Sequence, residues 1–179
     1  VWNALVDERP DLAEALTDTF GFDRRNEVVD GQEPWYEMPV FFPMEGYVMA
    51  SFVPEFIRSA QRFGGAPRLT PLHEEAFDAV KSLANDPDFK LEMDFRPGDI
   101  QFVNNLAVLH SRTEYEDWPE LPRRRHLLRL WLAVPDGWPM PEPLQARHGM
   151  DAATGRPRGV NLEPGARLSA PLSPPVLRT

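Results

Sequence analysis

The stretch GDIQFVNNLAVLHSRTEYEDWPELPRRRHLLRLWL, Gly98–Leu132, decides the fold. Side chains of a β-strand point alternately to two faces, and this stretch alternates. Ile100 and Phe102 continue a run begun by Leu91, Met93 and Phe95, with Pro97-Gly98-Asp99 as a tight turn between the two arms. Asn104-Asn105 breaks the pattern. Ala107–Arg112 resumes it, residues 114–124 form a loop running from acidic to basic, and Arg125–Val134 is a long final strand. In Ala107–Arg112 one face carries Val108, His110 and Arg112, and the other Leu109 and Ser111. In the final strand Arg125, Leu127, Arg129 and Trp131 share a face, opposite Leu128, Leu130 and Leu132. Arg125 and Arg129 then stand about 13 Å apart on that face.

Two chemistries are open at these positions. His110, at the end of an apolar strand, reads either as a hydrogen-bonded core residue or as a metal ligand. Arg129 is set among leucines and a tryptophan, where an unpaired cation is costly, so it requires an anion. A guanidinium offers a planar fork that matches a carboxylate and keeps its charge on burial. Strand phase leaves both sources of that carboxylate open, a protein Asp or Glu and a bound ligand.

The upstream sequence is predicted to be mixed helix and strand. Pro10–Leu16 is a short helix starting at a proline, residues 21–34 are loop, and Tyr36–Phe42 and Tyr47–Phe52 are strands joined by a turn at Pro43-Met44-Glu45-Gly46. Pro54–Phe63 is a helix stopped by Gly64-Gly65. Thr70 caps the clearest helix, with Pro71 in its first turn, an apolar stripe of Leu72, Ala76, Phe77, Val80, Leu83 and Ala84, and an end at Asn85-Asp86-Pro87. Beyond Pro135 prolines crowd the chain, so residues 136–179 are expected to be an extended or irregular tail and residues 1–135 the domain proper.

Composition excludes several function classes. The chain of 179 residues carries a net charge of -9, which argues against nucleic acid or an anionic membrane as partner. It contains no cysteine, so thiolate metal sites, disulfides and cysteine nucleophiles are ruled out. No apolar run approaches the roughly 20 residues of a membrane helix, and a cytoplasmic location is expected. The opening Val1-Trp2-Asn3 has no initiator methionine and no basic-then-apolar signal, and reads either as a processed or trimmed terminus or as the interior of a longer gene product.

The other histidines are poorer candidates. His73-Glu74-Glu75 matches the His-x-Glu half of a facial metal triad, but residues i and i+2 of a helix point about 200° apart. His73 is expected at a helix border. His126 is out of phase with Arg125 and Arg129, and His148 falls in the tail.

Taken together, Gly98-Asp99, Asn105, His110 and the pair Arg125/Arg129 resemble the TauD/TfdA family of Fe(II)/2-oxoglutarate dioxygenases. The resemblance runs from about residue 34 to 134. It implies an α+β fold, a partial double-stranded β-helix (jelly-roll, clavaminate synthase-like) with flanking helices. It implies Fe(II) as cofactor, 2-oxoglutarate as cosubstrate and dioxygen as co-reactant. His110 would be the distal metal ligand and Arg125 the clamp on the far carboxylate of 2-oxoglutarate. Arg129 would touch the cosubstrate or an anionic group of a small-molecule substrate, and Asn105 would shape the strand leading to His110. The family's upstream His-x-Asp/Glu pair has no match in residues 1–97, so the chain is expected to be an incomplete oxygenase domain, inactive alone. Two other readings stay in play: a pseudoenzyme or cupin-like module that binds an anion without metal, and a structural domain whose arginines pair with Glu92, Asp94 or Asp99.

Overall fold

The computed structural model describes residues 1–28, 31–132 and 137–148. The chain divides into two units, Val1–His110 and Ser111–Thr179.

Proline punctuates the helices of the first unit. The residue before a proline is pushed out of the helical region, and proline itself suits the first helical position. Arg9 (φ -142°, ψ 69°) therefore ends α1 (Trp2–Glu8), and Pro10 starts α2 (Pro10–Ala15). Val53 and Pro54 repeat the device at α3 (Pro54–Ala60), as do Thr70 and Pro71 at α4 (Pro71–Asn85). The Thr70 hydroxyl accepts the His73 N–H at 3.2 Å, and His73 Nδ1 accepts the Thr70 N–H at 3.2 Å, closing a capping box in which histidine stands where glutamate is usual.

The first sheet pairs β1 (Phe20–Asp23) antiparallel with β2 (Trp35–Met38), and the second pairs β3 (Phe41–Met44) with β4 (Tyr47–Ala50). This corrects three expectations. Residues 21–23, expected in a loop, are strand together with Phe20, and all four are buried. Gly21 makes this possible, because a Cβ there would stand 3.2 Å from both Ala66 and Pro67. The single strand expected over Tyr36–Phe42 splits at Pro39, which has no N–H for a ladder. Beyond it, Val40 N and Phe41 N both donate to the Leu16 carbonyl, so the chain crosses to a second sheet. The hairpin turn is Glu45-Gly46, with Gly46 at φ 84°, while Pro43 and Met44 are already strand residues.

The core lies between these elements. Phe20, Phe22, Leu12, Leu16, Met38, Val40, Ile57, Phe77 and Val80 are fully buried, with Phe20 and Phe77 rings 5.5 Å apart. Helix α1, which no expectation covered, adds Leu5 to the core, and Trp2 stacks on Phe41 at 5.0 Å. Leu72, placed on the α4 stripe by its spacing, is exposed instead, and its neighbour His73 is buried.

The expected strands over 90–132 do not form among the described residues. Their apolar side chains are open to solvent: Ile100 and Phe102 are each 81% exposed and Leu130 84%. The reason is physical. A helix satisfies its own backbone, whereas a strand exists only through hydrogen bonds to another strand. An alternating segment with no partner keeps its pattern and loses its structure. In the second unit a 3-10 turn spans Leu121–Arg123, and a helix, α5 (Glu142–His148), buries Leu144 within the stretch expected to be irregular. The proposed boundary at 135/136 and residues 149–179 lie outside the described residues. Among the described residues no helix is long and apolar enough to cross a membrane.

Candidate functional site

His110 ends the first unit and is approached through two turns. At Arg96–Asp99 the Asp99 carboxylate accepts the Arg96 N–H at 2.8 Å, the Arg96 carbonyl accepts the Asp99 N–H at 3.0 Å, and Gly98 takes φ 97°. The second turn belongs to Asn104. Its carbonyl accepts from both Ala107 N and Val108 N at 3.0 Å, and its side chain accepts from Leu106 N at 3.3 Å. The Leu106 carbonyl in turn accepts the Ala50 N–H at 2.7 Å, which ties the turn to the end of β4. Asn105, expected to shape the approach to His110, lies within the same turn. His110 itself is exposed, and its Nδ1 lies 3.2 Å from the Val108 carbonyl. A carbonyl can only accept, so Nδ1 is the donor in this contact and Nε2 is the ring nitrogen left for another partner.

Arg125 and Arg129 lie in the second unit, both exposed. The apolar surroundings expected around Arg129 are therefore not formed, because the strand that would create them has no partner. Arg125 is held at two points. Its N–H donates to Asp117 Oδ1 at 3.0 Å, and its guanidinium lies over the Tyr115 ring, 5.2 Å from the centroid. Arg112 shares that ring at 4.7 Å. Arg123 stacks on Trp118, and Arg124 donates to the Trp118 and Pro119 carbonyls at 3.0 Å. The loop between His110 and Arg125 is thus a set of aromatic rests and carbonyl acceptors for consecutive arginines. Tyr115 and Asp117 were missed by spacing arguments. The available signal was two aromatic residues, Tyr115 and Trp118, in an otherwise charged loop.

Two of the three carboxylates suggested as protein partners for these arginines have other partners: Glu92 pairs with Lys90 at 2.5 Å, and Asp99 accepts the Arg96 N–H. Met93, Phe95, Ile100 and Phe102, with Asp94 and Asp99, line a shallow open depression that holds no histidine or arginine.

The remaining histidines have structural settings. His73 donates from Nε2 to Asp18 at 3.0 Å, packs edge-on against Phe20, and completes the α4 cap. Its neighbours point elsewhere, Glu74 to Arg58 and Glu75 to Arg9. The His-x-Glu match is therefore not a chelating pair, as helix geometry requires. His148 sits on α5, where burial and then the charge of Arg147 lower its pKa. Buried Asp23 accepts from Ser59, from Arg25 N at 2.7 Å and from Arg62 at 3.1 Å. Burial alone would push its carboxyl up, but these partners outweigh it and hold the pKa below the usual carboxylate range.

Among the described residues no group of three or more His, Asp or Glu could hold a metal ion. Of the expected site residues only His110 can ligate a metal, since a guanidinium has no lone pair to offer, so they do not make a complete iron site.

Comparison with known proteins agrees on kinship. The sequence model of the family described as "Taurine catabolism dioxygenase TauD, TfdA family" matches residues 1–131. FR-33289 synthase of Streptomyces rubellomurinus is 30% identical over 159 residues, covering 86% of this chain and 46% of that protein. The taurine hydroxylase-like protein SAT17 of Stachybotrys chartarum is 34% identical over 136 residues, covering 73% of this chain and 33% of that protein. The chain spans less than half the length of these curated relatives.

Proposed function

The chain belongs to the taurine catabolism dioxygenase TauD, TfdA family, and from that premise we propose that it is the C-terminal part of an Fe(II)/2-oxoglutarate-dependent dioxygenase domain. The reaction class is oxidation of a small-molecule substrate coupled to decarboxylation of 2-oxoglutarate to succinate. The observation that carries the proposal is one ordered constellation, Gly98-Asp99, His110, Arg125 and Arg129, inside the residues matched by the family.

Within this reading each residue of the chain has a limited task. His110 offers Nε2 as one metal ligand, its orientation set by the Val108 carbonyl. Arg125 pairs with the distal carboxylate of 2-oxoglutarate through its planar fork. Arg129 reaches the same cavity and meets the cosubstrate or an anionic group of the substrate. The other metal ligands, a His-x-Asp/Glu pair, are supplied by residues upstream of this chain. Substrate class is set there too, and the names of the relatives do not carry over.

The same reading accounts for residues 90–132. In the whole domain they become strands of a double-stranded β-helix, and the exposed faces of Leu91, Phe95, Ile100, Phe102, Leu128 and Leu130 are covered by the rest of that sheet system. The short coverage of both relatives supports this, as does the solvent-facing period-two pattern.

Anaerobic titration with Fe(II) tests the proposal. Residues 1–179 alone should show no stoichiometric site. The full-length protein should show one, which His110→Ala removes. A stoichiometric site in residues 1–179 overturns the incomplete-domain reading. Anion binding by the full-length protein with no metal requirement, and with His110→Ala without effect, supports a non-enzymatic binding module instead.

A further inference from the structure

We propose that His73 makes the N-terminus of α4 a pH-sensitive latch, closed while the imidazole is neutral and opened by its protonation. The inference stands on the first unit alone and is independent of the functional reading above. Its parts, Asp18, Phe20, Thr70 and His73, belong to the packed elements around α4, and none of the contacts it uses involves residues 90–132.

Both ring nitrogens are committed. The Thr70 N–H donates to His73 Nδ1 at 3.2 Å, and a backbone N–H can only donate, so Nδ1 holds no proton. The ring proton then lies on Nε2, 3.0 Å from Asp18 Oδ2, which accepts it. The capping box thus needs one protonation state, the neutral Nε2–H ring. A glutamine in that place caps through an amide oxygen, which has no proton to gain.

Protonation forces a choice between the two contacts. Imidazolium carries an N–H on both nitrogens, so Nδ1–H faces the Thr70 N–H, donor against donor. At Nε2 the same charge strengthens the bond to Asp18. The ring therefore keeps Asp18 and releases the Thr70 N–H, and the start of α4 comes free while the imidazole stays tethered ahead of β1. Asp18 is the charged partner of the ring. The carboxylates next to His73 on α4 are turned to other partners, Glu74 to Arg58 on α3 and Glu75 to Arg9 at the start of α2, where Arg9 also holds Asp11. From β1 the ring meets Phe20 edge-on, 4.8 Å between centroids, with no charge to offer. His73 is buried, whereas the Asp18 side chain is 60% exposed, so solvent screens the pull of that carboxylate.

Amide exchange and imidazole nitrogen NMR of the full-length protein test the latch, from about pH 8 to about pH 5.5, across the ordinary histidine range. At the basic end Nδ1 of His73 should show the shift of an unprotonated, accepting nitrogen, and the Thr70 amide should be protected. As the ring charges, Thr70 protection, corrected for the intrinsic pH dependence of exchange, should fall about five-fold, the scale of one lost cap. Its midpoint should coincide with that of the Nδ1 signal. His73→Gln, which keeps the box and cannot charge, should hold the protection across the range. Asp18→Asn should move both midpoints together to lower pH, because it removes the charge that favours imidazolium. Thr70 protection that stays level while the ring charges overturns the latch. So does a ring still neutral at the acid end, or one protonated on Nδ1 at the basic end. An equal fall in His73→Gln means that the helix start loosens in acid without the histidine, and overturns it as well. Unmoved midpoints in Asp18→Asn overturn the part given to Asp18. If His73→Gln does not fold, coincidence of the two midpoints in the parent protein decides alone.

Discussion

Asp23 shows how a single residue couples the core of the first unit to pH. It is 2% exposed, yet it stays ionised because Ser59, the Arg25 N–H and Arg62 converge on it. Its pKa is depressed in the folded chain, so its stabilisation is fully present above the unfolded value near 3.9 and is lost as pH falls through the lower folded value. Urea unfolding followed against pH should therefore show stability falling below about pH 4. Asp23→Asn should cost about 1–3 kcal/mol at neutral pH, because three donors lose a charged acceptor, and should flatten that acid limb. At the same scale, His73 was legible as a helix-border residue from its place after Thr70-Pro71. Its burial against Asp18 and Phe20 was not legible, since those contacts come from residues about 55 positions earlier.

At the scale of elements, legibility followed the range of the forces involved. Helix α4 was readable because its cap, its proline and its stripe are local, and the structure reproduces it from Pro71 to Asn85. Thr70→Ala should lower stability by about 1 kcal/mol through the lost cap. Phe77→Ala should cost about 3–5 kcal/mol, since its ring is fully buried beside those of Phe20 and Phe52. Thermal or denaturant unfolding of the two variants checks that order; a larger loss from Thr70→Ala would contradict the assigned core. Strand β1 was read as loop because Asp23 and the arginines that follow it, Arg24 and Arg25, make the stretch look polar. Its neighbours, Met38, Ala66 and Pro67, are distant in sequence. The split between β2 and β3 was signalled by Pro39 alone, and a one-residue break in an apolar run is easily read through.

At the scale of the molecule, residues 90–132 are the discriminating feature. They carry the clearest alternation in the sequence and the most exposed large apolar side chains in the structure. Hydrogen exchange should find their amides unprotected in residues 1–179 and slowly exchanging in the full-length protein. A hydrophobic dye should bind the isolated chain and not the complete one. Slow exchange over 90–132 in the isolated chain would show that these strands need no outside partner, and would remove the main support for an incomplete domain.

The stretch Gly98–Leu132 therefore determined, by itself, the kinship and the candidate chemistry: residue types at set spacings, His110, Arg125 and Arg129, are written in one dimension and survive without a folded sheet. The packing of the first unit, with two small sheets rather than one, a histidine in a capping box and a buried Asp23, was decided only in three dimensions. So was the aromatic rest beneath Arg125, because Tyr115 and Arg125 are ten residues apart and meet only where the chain turns back at Leu121–Arg123. The physical reason is the same in each case. Local signals act through the backbone of neighbouring residues, while strand pairing, burial and ring contacts depend on which distant segments are present to be met.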